Sequence, residues 1–84
     1  MAFDVEWTEI SIQQLESLDK LTIQRITSKI RFFSQNASLR NIKRVKGEDC
    51  FRIRIGDYRV LFEKVSENKI IILKVGHRKN IYQK

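Results

Sequence analysis

The residues best suited to chemistry in this chain are arginines, and their spacing is the first informative feature. Between positions 50 and 60 the sequence reads Cys50-Phe51-Arg52-Ile53-Arg54-Ile55-Gly56-Asp57-Tyr58-Arg59-Val60. Apolar and basic residues alternate with period two, as in an antiparallel strand with one buried face. Gly56-Asp57 fits a two-residue hairpin loop, with glycine supplying a positive φ. That loop sets the register: Ile55 faces Tyr58, Arg54 faces Arg59, Ile53 faces Val60 and Arg52 faces Leu61. Arg52, Arg54 and Arg59 then share the face opposite Ile53, Ile55 and Val60. Like charges directly across a strand pair cost from a few tenths to about one kcal/mol. Either these arginines splay into water or they serve a polyanion. The guanidinium fork matches phosphate oxygens, so a nucleic-acid backbone is the natural guest.

Further on, Gly76-His77-Arg78-Lys79-Asn80-Ile81-Tyr82 is a cationic turn with an aromatic that can reach over the same face. Tyr82 either packs on the sheet edge or stacks on a base. A single histidine such as His77 is more often a surface group than a catalyst. Cys50 reads as a small, semi-buried residue, and Trp7 and Phe32-Phe33 as packing groups.

The composition fits this emphasis. The 84 residues carry 17 Lys+Arg against 10 Asp+Glu, a net charge of +7. Residues 1–39 hold four basic and five acidic side chains, net −1, and residues 40–84 hold thirteen and five, net +8. The excess sits wholly in the second half, which points to nucleic acid or an acidic protein if it is more than a solubilising face. One cysteine and one histidine leave no Cys-rich zinc site and no His cluster, so no metal or cofactor is expected. No run of about 18 apolar residues suggests a transmembrane helix. The N-terminus is too acidic for a secretory signal, so the chain is expected in the cytoplasm, without a membrane partner.

With no proline, three glycines and no repeat, residues 1–84 read as one domain. Phe3, Val5 and Trp7 alternate with Asp4 and Glu6 as a short strand. Thr8 is a candidate N-cap for a helix bringing Ile12, Leu15 and Leu18 to one face. Asp19 to Thr22 supply a break. From Thr22, the spacing of Ile23, Ile26, Ile30 and Phe33 predicts a second helix ending near Asn36. Strands follow at residues 50–55 and 58–64, a turn at 66–69, and an apolar strand at 70–75 covered on both faces. The expected fold is α+β, in the order β-α-α-β-β-β. A mainly antiparallel twisted sheet carries an N-terminal helical hairpin on one side.

Read together, "NIKRVKGEDCFRIRIGDYRVLFE" and "IIILKVGHRKNIY" resemble the RelE/ParE toxin superfamily, in its RelE-like mRNA interferase branch. The resemblance runs from Val5 to Tyr82. It implies the toxin half of a type II toxin–antitoxin system, an endoribonuclease that cuts mRNA in the ribosomal A site and leaves a 2′,3′-cyclic phosphate. It also implies a RelB-like antitoxin as partner, in a hetero-oligomer, alongside the ribosome and mRNA. The family's two basic strand residues fall at Arg52 and Arg54, where several members have Lys. The arginine after the turn is Arg59, the distal one Arg78 and the tyrosine Tyr82.

Cleavage through the RNA's own 2′-hydroxyl needs a base, charge stabilisation at the phosphorane and an acid for the 5′-oxygen. Stabilisers abound here, whereas proton carriers are limited to His77, Tyr82, and Glu48 or Asp49. Arginine at 52 and 54 is a poorer proton acceptor than lysine. Such a site works mainly by alignment and charge neutralisation, which favours dependence on the ribosome. Lys43, Arg44, Lys46, Lys74 and Lys79 are the expected RNA- and ribosome-binding cations. The alternatives are a ParE-like toxin acting on DNA gyrase without cutting RNA, and a weakened toxin that only binds its antitoxin.

Overall fold

A computed structural model describes residues 4–36, 42–44, 50–66 and 68–81. The first strand, β1 (Asp4–Trp7), turns Val5 and Trp7 inward and runs directly into helix α1 (Glu9–Glu16). Thr8 makes that junction. Its N–H and its hydroxyl both donate to the Ile72 carbonyl, at 3.1 and 2.9 Å, and its Oγ1 accepts the Ser11 N–H at 3.2 Å. One side chain thus closes the sheet edge and caps the helix.

Helix α2 spans Lys20–Asn36, starting two residues before the expected Thr22. The reason is Asp19, which caps it: the carboxylate accepts the Thr22 N–H at 3.1 Å and the Thr22 hydroxyl. Ile26, Ile30 and Phe33 form its buried stripe, and Leu15 and Leu18 of α1 pack against the same core. Ile12, expected on that face, is instead 41% exposed, and Phe32 also stands largely in solvent.

Among the described residues the sheet has five strands, one more than the sequence pattern indicates. The addition is β2 (Ile42–Arg44), an edge strand whose three residues are too few to display a period. It is followed by β3 (Phe51–Ile55), β4 (Tyr58–Ser66) and β5 (Lys69–His77), in the spatial order β1-β5-β4-β3-β2. Among the described residues, β1 and β5 pair in parallel and the other neighbours are antiparallel. Ile53, Ile55, Val60, Phe62, Ile70, Ile72 and Val75 make the sheet's side of the core. Phe62 is central to it, with its ring 5.6 Å from Phe33 and 5.5 Å from Phe51.

Strand β5 breaks its own alternation. Leu61 pairs with Lys74 but Phe62 pairs with Ile72, so Leu73 is an extra residue bulged out of the ladder. The bulge moves the inward face from Ile70 and Ile72 to Val75. Beyond Trp7, where β1 stops, Gln14 of α1 takes over the exposed edge, its Oε1 accepting the Val75 N–H at 2.8 Å.

Two predictions follow from the helix starts. Thr8→Ala is expected to cost about 1 kcal/mol in urea denaturation, while Thr8→Ser retains most of the stability; an unchanged Ala variant would remove Thr8 as the junction. Hydrogen bonds from the Thr22 hydroxyl and N–H hold the Asp19 carboxyl below its ordinary 3.8. Its stabilising effect is therefore complete above that value and lost as pH falls through the lowered one. The stability gap between wild type and Asp19→Ala should be constant near neutrality and narrow below pH 3.8; a gap independent of pH would dismiss the carboxylate as the cap.

Candidate nucleic-acid interface

The hairpin register is the one expected from the loop: Arg54 lies opposite Arg59, Ile55 opposite Tyr58, and Arg52 opposite Leu61. Gly56 takes a φ of 60°, in the left-handed region. Because Ile53, Ile55 and Val60 belong to the helix-covered core, Arg52, Arg54 and Arg59 share the other face.

Cross-strand pairing arranges that face in rows. One row runs Arg52–Leu61–Lys74, with Lys43 opposite Arg52 in the β2 register. The next, nearer the hairpin loop, runs Arg54–Arg59–Gly76. On the other side of the bulge lies the row Glu6–Ile71–Glu63, where Glu6 Oε1 sits 3.6 Å from Lys69 Nζ. The face is therefore graded, acidic at one end and basic at the hairpin.

Arg54 and Arg59 handle their repulsion by parting. Arg54 is exposed, whereas Arg59 is only 9% exposed and turns back on the hairpin. Its Nη1 donates to the Gly56 carbonyl at 3.0 Å and the Tyr58 carbonyl at 2.9 Å. Arg78 meets the same loop from the opposite side. Its N–H donates to the Asp57 carbonyl at 2.8 Å, and its Nε stands 4.0 Å from Asp57 Oδ1. The loop thus gathers two arginines that are nineteen positions apart in sequence.

His77 is on the other side of the sheet. It pairs with Tyr58, on the core face, and meets that ring edge-on at 5.6 Å. Its Nδ1 accepts the Lys79 N–H at 3.1 Å, and the Lys79 residue itself is exposed. The sheet separates this imidazole from the arginines. Lys46, Glu48, Asp49 and Tyr82 lie outside the described residues, and Lys43 and Arg44 are placed by their strand positions in β2. Asp57 and Ile81 were not among the residues singled out from sequence. Asp57 read only as a turn former, and nothing in the local pattern shows that the Arg78 amide returns to it. Chemically, the described part of this face offers guanidinium and ammonium groups; the Asp57 carboxylate stands beside Arg78 at the loop, and Glu6 and Glu63 lie in the far row. It can hold and neutralise a phosphate backbone.

The fold is that of the RelE toxins. The profile of the family described as "ParE toxin of type II toxin-antitoxin system, parDE" matches residues 5–82, and the chain belongs to this RelE/ParE toxin family. It is a toxin of a type II toxin–antitoxin system. A Methanocaldococcus jannaschii relative, toxin RelE1, is 30% identical over 88 residues, covering 99% of this chain and 98% of the relative. In solved structures, the toxin–antitoxin complex RelBE2 of Mycobacterium tuberculosis contains a similar chain, at 25% identity and a TM-score of 0.79, with 95% of each chain covered. The RelB–RelE complex of Methanococcus jannaschii contains another, at 31% identity and a TM-score of 0.73, covering 92% of this chain and 94% of that one.

The two facing arginines should differ under mutation. Arg59→Ala removes charged donors from two loop carbonyls and is expected to cost about 1–3 kcal/mol. Arg54→Ala relieves a like-charge pair and should leave stability within about 0.5 kcal/mol of wild type. Matching urea midpoints for the two variants would contradict the structural part assigned to Arg59.

Proposed function

We propose that this toxin is a ribosome-dependent endoribonuclease that cleaves mRNA in the A site and thereby stops translation in the cytoplasm. The observation that carries this reading is the arginine face, where Arg52, Arg54 and Arg59 come from one hairpin and Arg78 is tied to its loop. In the reaction the 2′-hydroxyl oxygen attacks the adjacent phosphorus and the bond to the 5′-oxygen breaks. The products are a 2′,3′-cyclic phosphate and a 5′-hydroxyl. The guanidinium groups neutralise the charge that builds on the phosphorane oxygens. No histidine shares the described part of this face, so proton transfer is its weak point and alignment of the RNA must supply much of the rate. A ribosome that holds the mRNA in an in-line geometry provides that alignment.

The partner is a RelB-like antitoxin, forming a hetero-oligomer, as in the two RelB–RelE-type complexes described above. Helix α2 has four basic residues and no acidic one. Beside it, Val5, Trp7, Ile12, Leu15 and Ile30 line an apolar groove of about 450 Å³ with Arg31 at its wall. An antitoxin segment with apolar and acidic residues matches that groove.

Primer extension on mRNA during induced expression tests the reading. Wild type should give cuts at A-site positions, and Arg78→Ala, whose side chain is exposed, should abolish both cuts and growth arrest while still folding. The family profile carries the ParE description, which favours one other reading, a gyrase-directed toxin. Growth arrest with DNA damage and no mRNA cuts would establish it in place of the nuclease. A chain that binds antitoxin yet yields neither signal would be a weakened toxin.

A further inference from the structure

The second basic row ends in Gly76, and what occupies the space above it sets the position of Arg78. Gly76 pairs with Arg59, so a side chain at position 76 would project onto the arginine face. That space belongs to Ile81. A Cβ added to Gly76 would lie 3.1 Å from Ile81 Cδ1, 3.7 Å from its Cβ and 3.8 Å from its Cα. Ile81 is only 5% exposed, so it has little freedom to retreat. The intervening turn is closed by the Asn80 and Ile81 N–H groups, which both donate to the His77 carbonyl, at 2.8 and 3.0 Å. Arg78 sits inside that turn, with its own N–H on Asp57.

We propose that Gly76 and Ile81 are a positioning pair for Arg78. The bare backbone at 76 admits Ile81 onto the sheet, and this seat fixes the turn so that Arg78 meets the hairpin loop beside Arg59. The glycine is needed for the close approach of Ile81, since its own φ is not in the left-handed range. The proposal rests on the nuclease reading for its effect on activity, and on geometry alone for its effect on the turn.

The test uses toxin freed from antitoxin and ribosomes programmed with a defined mRNA. Gly76→Ala should lower the single-turnover cleavage rate at saturating toxin about tenfold or more, with the half-saturating toxin concentration unchanged. Gly76→Ala combined with Ile81→Val, which removes the Cδ1 atom nearest the new Cβ, should recover most of the rate. Amide exchange gives a second reading, with the Arg78 N–H losing protection in Gly76→Ala and regaining it in the double variant. If Gly76→Ala does not fold, Ile81→Ala keeps the glycine and removes the seat, and should show the same loss of rate and protection. Wild-type cleavage and Arg78 protection in Gly76→Ala would overturn the proposal, as would a slow variant not rescued by Ile81→Val. Should wild type itself fail to cut programmed mRNA, the nuclease reading falls and the exchange data alone decide the positioning pair.

Discussion

The two-residue loop Gly56-Asp57 is the constraint on which the remaining arrangement depends. With period two along a strand, a slip of one residue would exchange the two faces of the hairpin. Ile53, Ile55, Val60 and Phe62 would then face water, and the arginines would be driven under the helices. Burying even one unpaired guanidinium there costs several kcal/mol, so the core and the basic face enforce the same register. Gly56 makes the loop possible through its φ of 60°, and the loop's carbonyls are then put to use. Gly56 and Tyr58 accept from Arg59, and Asp57 accepts from the amide of Arg78.

This use of the loop explains how a sheet tolerates facing arginines. A sequence selected for stability alone would set an acid or a threonine against Arg54. Here Arg59 satisfies its charge with backbone carbonyls and Arg54 satisfies its charge with water. The remaining repulsion is small in stability terms, yet it leaves an electrostatic potential that attracts phosphate. The row Glu6–Ile71–Glu63 sharpens that potential by making the far end of the face acidic, so the positive potential is concentrated at the hairpin end.

How much of this was legible in the sequence depended on how local each signal was. The hairpin, its register and the shared face of Arg52, Arg54 and Arg59 followed from alternation plus a turn dipeptide, both local. The order of helices and strands was legible for the same reason, and Thr8 announced itself as a cap. Asp19 did not, because Asp19 to Thr22 read as a break between two apolar stripes. Strand β2 was not legible, because three residues show no period. Ile12 was misplaced because helical spacing fixes an angle around the axis and not whether another element covers it; it lines an open groove beside Trp7 and Leu15. For the site, the tail was the least legible part. Its seating on the sheet rests on a contact between Gly76 and Ile81 that pattern alone does not disclose.

The bulge at Leu73 shows how far one such non-local feature reaches. With strict alternation from Ile70 and Ile72, position 75 would leave the core and position 77 would join the arginine face. The histidine would then stand among the guanidinium groups as a ready proton carrier. One extra residue reverses both parities. Val75 enters the core and its N–H finds Gln14, so α1 is anchored where β1 has ended. His77 goes to the Tyr58 side, and Gly76, with no side chain, comes to the basic face where Ile81 covers it. The arrangement that completes the core is thus the one that removes the imidazole from the basic face. Folding and proton transfer make opposite demands on β5, and the structure meets the first. Under the proposed nuclease activity, the geometry of a bound RNA would have to supply what this face lacks in imidazole.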